Sequence, residues 1–189
     1  MLKRKDNKMD KKEEILQYIN EIRLNESELY SYLYDLIYKE IISDVKWLEH
    51  VYAGFLEDQR NEIKRIAIYG ILFGLKIQKD VYLDFALKNI KDIESDFDLR
   101  LTCVSGLSAA YFGTKNVKIV SLLFLVFNNI DEDEDIQCTC FTSLLMLIGL
   151  SSRDIFLKNK GLIFNLNDIN LGNFKRELQL LTNIIYNPN

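Results

Sequence analysis

The sequence predicts an all-α protein, a right-handed α-α superhelix built as a short solenoid of about four helix pairs. Helix-breaking residues are rare, because Pro188 is the only proline among 189 residues and only eight residues are glycine. Leu, Ile, Lys and Glu dominate segments in which apolar residues recur at helical spacing. Three of these segments also repeat one pattern of small residues at a nearly constant interval.

The repeated pattern starts at Ile63, Leu99 and Ile136, which are 36 and 37 residues apart. Small residues follow four positions after each start, and these are Ala67, Cys103 and Cys140. Further small residues follow seven positions after each start, and these are Gly70, Gly106 and Ser143. Spacings of four and seven lie on one helix face, so the pattern predicts first helices that meet along a seam of small side chains.

A second series marks where the other helix of each pair begins. Its members are N-cap residues placed directly before Val or Ile, namely Asp44, Asp80, Asn116 and Asp154. A side-chain oxygen at an N-cap accepts from an orphan backbone N–H, a contact worth about 1 kcal/mol. An amphipathic segment from Glu14 to Leu24 is expected to cover the leading end. The predicted organisation is a basic, disordered head over residues 1–13 and one domain over 14–189.

These residues resemble the HEAT-repeat and HEAT-like family across roughly residues 29–182. The resemblance is carried by the segments Glu62-Ile63-Lys64 and Asp98-Leu99-Arg100, by the small residue four positions later, and by the period. The third unit has Gln137 where a base would stand, and the proline often found in HEAT first helices is missing. A compact irregular helical bundle is the competing architecture.

Charge and hydropathy narrow the class of partner. The formal net charge is −4, but residues 1–13 carry six Lys and Arg against three Asp and Glu, so residues 14–189 carry −7. An acidic body disfavours nucleic acid, whose binding depends on Lys and Arg, and favours basic or neutral proteins. No apolar segment follows the basic head, and the longest apolar run, residues 119–127, is about half of a membrane span. We therefore expect a cytoplasmic protein without a membrane partner.

The acidic run from Asp131 to Asp135 stands close to two thiols, Cys138 and Cys140. In the repeat register the run falls in the turn before a first helix, where acids complement the positive helix end by about 0.3 to 1 kcal/mol. As a calcium loop it lacks the required glycine and the bidentate Glu, and zinc would need further Cys or His at ligand spacing. We expect no metal and no cofactor, with the cysteines as packing residues.

Catalytic motifs are not found in the sequence. There is no H-E-x-x-H, no glycine-rich phosphate loop and no nucleophile elbow. His50 is the one histidine, and neighbouring Glu49 cannot face it on a helix. HEAT-like repeats also build a group of DNA glycosylases, but no motif of that group matches here. We expect a protein that is not an enzyme.

The outward positions of the second helices are predicted to bind the partner, because solenoids of this kind usually line their concave face with second helices. This row is unusually apolar in its middle, which is typical of a protein-binding patch. The predicted partner-binding residues are Glu49, His50, Tyr82, Phe85, Asn89, Lys118, Ser121, Leu122, Leu125, Phe156 and Asn159. Two alternatives stay open: the helical phase is shifted by one position, or the carboxy-terminal segment covers these residues.

The leading hypothesis is a non-catalytic module that captures a protein or peptide on its concave face. Single-domain acidic proteins of this kind resemble some bacterial immunity proteins that block a toxin. The same hypothesis includes a scaffold protein. The alternative is a nucleic-acid-binding HEAT-like protein, glycosylase-like or passive. A further option is a homo-oligomer formed through the apolar row.

Overall fold

The computed structural model describes residues 11–38 and 44–187, and residues 1–10, 39–43 and 188–189 lie outside this description. Within the described ranges all regular structure is helical and no strand occurs, which confirms the predicted all-α class. The α-helices are α1 Lys11–Glu21, α2 Glu26–Tyr38, α3 Val45–Ala53, α4 Asn61–Tyr69, α5 Asp80–Lys91, α6 Phe97–Ala110, α7 Val117–Phe127, α8 Glu134–Leu147, α9 Ser152–Asn159 and α10 Lys175–Tyr186. A π-helical turn, Gly70–Gly74, extends α4, and the 3-10 turns Leu166–Asp168 and Leu171–Phe174 precede α10.

The helices α4, α6 and α8 begin in matching register. Their third residues are Ile63, Leu99 and Ile136, and all three side chains are buried. Asp133 caps α8 by accepting a hydrogen bond from the backbone N–H of Asp135 at 2.8 Å. This carboxylate sits at the positive end of the helix, as predicted for the acidic run.

Two of the four predicted N-caps of the second helices are confirmed and two are wrong. Asp44 caps α3 and Asn116 caps α7, each accepting from a backbone N–H in the first turn. Asp80 is instead the first residue of α5, and Asp154 is the third residue of α9, where it closes a capping box with Ser151. Both carboxylates still lie in a first turn, where the helix dipole favours them.

The first helices α2, α4, α6 and α8 pack against each other in that order. Small residues permit this approach, since a methyl group at Gly106 of α6 would lie 3.0 Å from Cβ of Leu72 in the π-helical turn. The side chains of Ala67, Cys103 and Cys140 are completely buried, one on each of α4, α6 and α8. The small residues predicted to form a seam therefore lie in the interior.

The second helices α3, α5, α7 and α9 are arranged more openly. Each lies against a first helix, with α5 on α6 and α7 on α8, but consecutive second helices approach each other only at isolated points in the described chain. The carboxy-terminal helix α10 returns to pack on α7. The layer of first helices is therefore tighter than the layer of second helices.

The leading helix α1 begins at Lys11, inside the region predicted to be a disordered head, and residues 1–10 of that head lie outside the described residues. Ile19 on α1 and Ile22 just after it are buried in the main core. Three isoleucines spaced by four and three, starting at Ile15, give α1 the amphipathic face that the sequence predicted.

The helices are short relative to a bilayer. In residues 11–38 and 44–187 no single helix is both long and apolar enough to cross a membrane. Within the same residues α8 and α9 taken together have the length and composition of a span, but they are bent by 114° from each other.

Candidate interaction site

The structure divides the predicted partner-binding row into exposed, half-buried and buried side chains. The exposed members are His50, Lys118, Leu125 and Phe156. The half-buried members are Glu49, Phe85, Asn89 and Ser121. The buried members are Tyr82, Leu122 and Asn159. The prediction that Tyr82, Leu122 and Asn159 face solvent is therefore wrong, since they are 5%, 9% and 7% exposed.

Tyr82 is held by a carboxylate on the preceding second helix. Its hydroxyl donates to Oε1 of Glu49 at 2.6 Å, and Nζ of Lys79 donates to the same oxygen at 2.5 Å. Burial, reinforced by this hydrogen bond, raises the pKa of Tyr82. Burial also acts to raise the pKa of Glu49, but the hydrogen bonds from Lys79 and Tyr82 outweigh it and lower that pKa. Two predicted residues are thus brought together as a link between α3 and α5.

The carboxy-terminal segment covers another part of the predicted row. Leu122 belongs to the main core and lies on α7, the helix against which α10 packs. Asn159 organises the turn after α9, since Nδ2 donates to the carbonyl oxygen of Asp168 at 2.9 Å and Oδ1 accepts from the N–H of Asn170 at 3.0 Å. Leu157, on the same helix as Asn159, is 60% exposed.

The more exposed members of the row line separate pockets. Phe85 and Asn89, together with Val81, line a groove of about 360 Å³ between α5 and the start of α4. Phe156 lines a mostly apolar pocket of about 250 Å³ formed by α8, α9 and the residues that follow α9. The residues of α7, namely Lys118, Ser121 and Leu125, line neither of these two pockets.

An aromatic cluster on the first helices was not anticipated. We define it as Tyr34 and Tyr38 on α2, Tyr69 at the end of α4, and Phe73 in the π-helical turn. The ring centroids of Tyr34 and Tyr69 are 6.1 Å apart and those of Tyr69 and Phe73 are 5.0 Å apart, both nearly parallel. The hydroxyl oxygens of Tyr38 and Tyr69 lie 3.1 Å apart in a hydrogen bond. The sequence signal was the spacing of four between aromatic residues on each helix.

The π-helical turn places Phe73 in this cluster. The backbone N–H of Leu75 donates to the carbonyl oxygen of Gly70 at 2.8 Å, a bond that spans one residue more than an α-helical bond. Gly74 packs so closely that a methyl group there would lie 2.7 Å from Cγ2 of Ile37 on α2. The widened turn therefore sits against the neighbouring first helix, directly beside the aromatic rings.

Next to the aromatic cluster, Arg65 joins three first helices. Its guanidinium lies 5.5 Å from the ring centroid of Tyr30 on α2. The same group pairs with Asp98 on α6 at 2.9 Å and with Glu62 on its own helix. Glu26 lines the adjacent groove of about 340 Å³ together with Tyr30 and Glu62. Acidic and aromatic side chains therefore adjoin each other on this side of the molecule.

The acidic run contains a buried charge that sequence reasoning missed. Glu132 pairs with Arg100 through two hydrogen bonds, at 2.9 Å and 2.7 Å, and each side chain is 6% exposed. Burial acts to raise the pKa of Glu132, but the hydrogen bonds from Arg100 and from the backbone N–H of Asp133 outweigh it and lower that pKa. One carboxylate of the acidic run, that of Glu132, thus belongs to a structural ion pair.

Arg100 and Gln137 have the same place in successive first helices. Arg100 donates to the carbonyl oxygen of Ile90 at 3.1 Å, and Gln137 donates to that of Phe127 at 3.2 Å and of Asn129 at 2.7 Å. Each of the two residues directly follows the first buried residue of its helix, and each donates a hydrogen bond to a carbonyl oxygen ten residues earlier. The position therefore needs a long hydrogen-bond donor, which Gln supplies as well as Arg.

The three thiols are buried and unpaired with each other. Burial raises the pKa of Cys103 and of Cys140 to about 12. Burial, followed by the charges of Glu134 and Asp135, raises the pKa of Cys138 to about 11. These thiols are protonated at neutral pH, as expected for packing residues. In the described part of the chain no three His, Cys, Asp or Glu side chains are grouped as a metal ion would require.

Comparison of the sequence with protein-family models and with curated proteins, and of the chain with solved structures, gives no match in any of the three.

Proposed function

We propose that this chain is a non-catalytic protein-interaction module, a short HEAT-like α-solenoid that holds a protein or peptide on its concave face. The observation that carries the proposal is a set of large apolar side chains that stay exposed, among them Tyr38 and Phe73 in the aromatic cluster and Phe156 at a pocket. Such clusters are typical of surfaces that bind other proteins. In this proposal the module acts in the cytoplasm as a scaffold, an inhibitor or an immunity protein.

The solenoid part of the proposal is supported by regularities along the chain. The first helices α4, α6 and α8 start in one register, and the four first helices pack in serial order. Arg100 and Gln137 close successive turns in the same way. Serial packing of similar units around a continuous core is the organisation of helical repeat proteins.

The non-catalytic part is supported by the state of the candidate reactive groups. His50 is exposed on α3, and the carboxylate of Glu49 is engaged by Lys79 and Tyr82. The cysteine thiols are buried with raised pKa values, so none is a ready nucleophile.

Affinity capture from native lysate followed by mass spectrometry tests the proposal. We expect the immobilised protein to retain one protein in near-stoichiometric amount, and the urea-unfolded protein to retain none of it. The double variant Phe85→Ala with Phe156→Ala tests the row predicted from sequence, with Tyr186→Ala as the matched exposed aromatic control. Equal recovery by folded and unfolded protein would contradict a specific interaction module.

Nucleic-acid binding is the second candidate, and one observation favours it. The second helices carry six basic side chains against four acidic ones, a net charge of +2 on that side of the molecule. Lys79, however, lies just before α5 and is already paired with Glu49. A gel shift with duplex DNA at increasing salt decides: we expect no shift at 150 mM salt, whereas a salt-dependent shift would favour this candidate.

A further inference from the structure

The charge of the molecule is divided between its two helix layers. The first helices carry seven acidic side chains against three basic ones, a net charge of −4, whereas the second helices carry +2. One of the three basic groups, Arg100, is buried and paired with Glu132, so it contributes nothing to the surface. Helix α2 contains three acidic residues and no basic one. The first helices therefore present the acidic side of the chain.

The first-helix layer is also the more closely packed one. The first helices pack against each other along the series, while consecutive second helices form no such continuous row in the described chain. Helices on the inner side of a curved stack lie closer together than those on the outer side, which makes the first-helix face a candidate for the concave face, in place of the second helices that the sequence predicts.

The first-helix face has two chemically different edges. Where the first helices begin, acidic side chains line the edge, with Glu26 and Glu62 in one groove and Asp98 beside them. Toward the other ends of α2 and α4 lies the aromatic cluster, in which Tyr34 is 42% and Tyr38 is 59% exposed. On α6 the residues that correspond to Tyr69 and Phe73, 36 positions later, are Ser105 and Ala109. Their side chains are small, uncharged and half-buried.

We propose that the first-helix face binds an extended basic segment of a partner protein, with arginine side chains over the aromatic cluster and their charges toward the acidic edge. This inference rests on the proposed function and names its surface and the chemistry of its partner. Arginine is preferred over lysine because a planar guanidinium stacks on aromatic rings and pairs with carboxylates through two hydrogen bonds.

Arg65 shows the same chemistry within the chain. Its guanidinium lies over the ring of Tyr30 and pairs with Asp98 and Glu62 at once. Tyr34 lies four residues after Tyr30, one helical turn further along the same side of α2. An arginine of the partner placed over Tyr34 would therefore lie beside the arginine that the chain itself places over Tyr30.

The size of the face sets the length of the segment. Four packed helices with axes about 8 to 10 Å apart span roughly 25 to 30 Å. An extended chain advances about 3.3 Å per residue, so the face takes roughly eight or nine residues. A ten-residue peptide is therefore the appropriate probe.

Fluorescence anisotropy with labelled deca-arginine and deca-lysine at 150 mM salt tests the inference. We expect deca-arginine to bind several-fold more tightly than deca-lysine. The charge variant Glu26→Gln with Asp35→Asn, and the aromatic variant Tyr34→Ala with Phe73→Ala, are each expected to weaken deca-arginine binding at least fivefold. The control variants carry the same kinds of change away from the first-helix face, and these are Glu57→Gln with Asp84→Asn and Tyr186→Ala with Phe164→Ala, whose rings are 72% and 71% exposed.

The controls are expected to stay within twofold of the wild type, with far-UV circular dichroism unchanged in all variants. Absence of deca-arginine binding, or equal weakening by variants on both sides, would overturn the inference. So would deca-arginine binding that is detected only after deletion of residues 1–10, because the occupant in the full chain would then be its own basic head. A dimer in sedimentation that Tyr34→Ala dissociates would replace the partner with a second copy.

The lysate capture separates this inference from the proposed function. Loss of the captured protein by Tyr34→Ala with Phe73→Ala, but not by Phe85→Ala with Phe156→Ala, supports the first-helix face. The reverse pattern overturns the first-helix face and leaves the interaction module standing. Capture of no protein by the wild type contradicts the proposed function itself.

Discussion

Replacement of Glu132 by Gln should destabilise the protein far more than the same change elsewhere in the acidic run. The pair of Glu132 with Arg100 is 6% exposed on both sides, so Gln at position 132 leaves the guanidinium buried without its counter-ion. Breaking a buried pair from one side typically costs about 3 to 5 kcal/mol. We expect that loss in the free energy of unfolding, measured by urea titration with circular dichroism at pH 7. The matched control, exposed Asp131→Asn, should change it by less than about 0.5 kcal/mol.

The pH dependence gives an independent check on this pair. The folded-state pKa of Glu132 lies below its ordinary value of 4.5, so the carboxylate stabilises the fold above that value. This stabilisation is lost as the pH falls through the lowered pKa, and the difference between wild type and Glu132→Gln should shrink there. The double variant Arg100→Met with Glu132→Leu should recover much of the loss. A cost for Glu132→Gln as small as that for Asp131→Asn would refute the buried pair.

Three further predictions concern packing, hydrogen bonding and thiol reactivity. Gly70→Ala should cost about 1 to 3 kcal/mol, because its methyl group would lie 2.7 Å from the buried ring of Tyr52, whereas Gly161→Ala has no atom within 4 Å and should be nearly neutral in the same urea titration. Tyr82→Phe should cost about 1 kcal/mol through the lost hydrogen bond to Glu49; no change beyond that of Tyr186→Phe would contradict that bond. The three cysteine thiols should resist Ellman's reagent at pH 8 in the native protein and react fully in urea, since burial raises their pKa values to about 11 or 12; fast native reaction would contradict their burial.

The first helices could be predicted from sequence because their signals are local. A buried branched residue and a small residue four positions later mark α4, α6 and α8, and the structure buries both in each helix. Asp44 and Asn116 likewise cap helices within three residues of themselves. Such patterns depend on one helical turn, so one chain segment is enough to identify them.

The predicted site was less accurate because it depended on long-range packing. On α5 the residues from Val81 to Leu87 are apolar apart from Asp84 and cover more than half of the helix circumference, so the sequence does not define which arc faces inward. On α7 a second side of the helix is buried because α10, more than fifty residues after Leu122 in the chain, packs on it. Leu122 is buried as a result. The partner of Glu132 is also distant in sequence, 32 residues away. Spacing within a helix carries no information about these contacts.

The alignment of the Tyr69 and Phe73 rings depends on the number of residues in the π-helical turn Gly70–Gly74. In an α-helix two residues four apart are offset by about 40° around the axis. Tyr69 and Phe73 are four apart across the π-helical turn, and their rings lie 11° from parallel. Removal of one residue between Tyr69 and Phe73 would place Phe73 three positions after Tyr69 instead of four, a change of about 100° around a helix axis. The aromatic surface is thus set by segment length as much as by side-chain identity, and an insertion or deletion of one amino acid could create or erase it while Ala67, upstream, keeps its place.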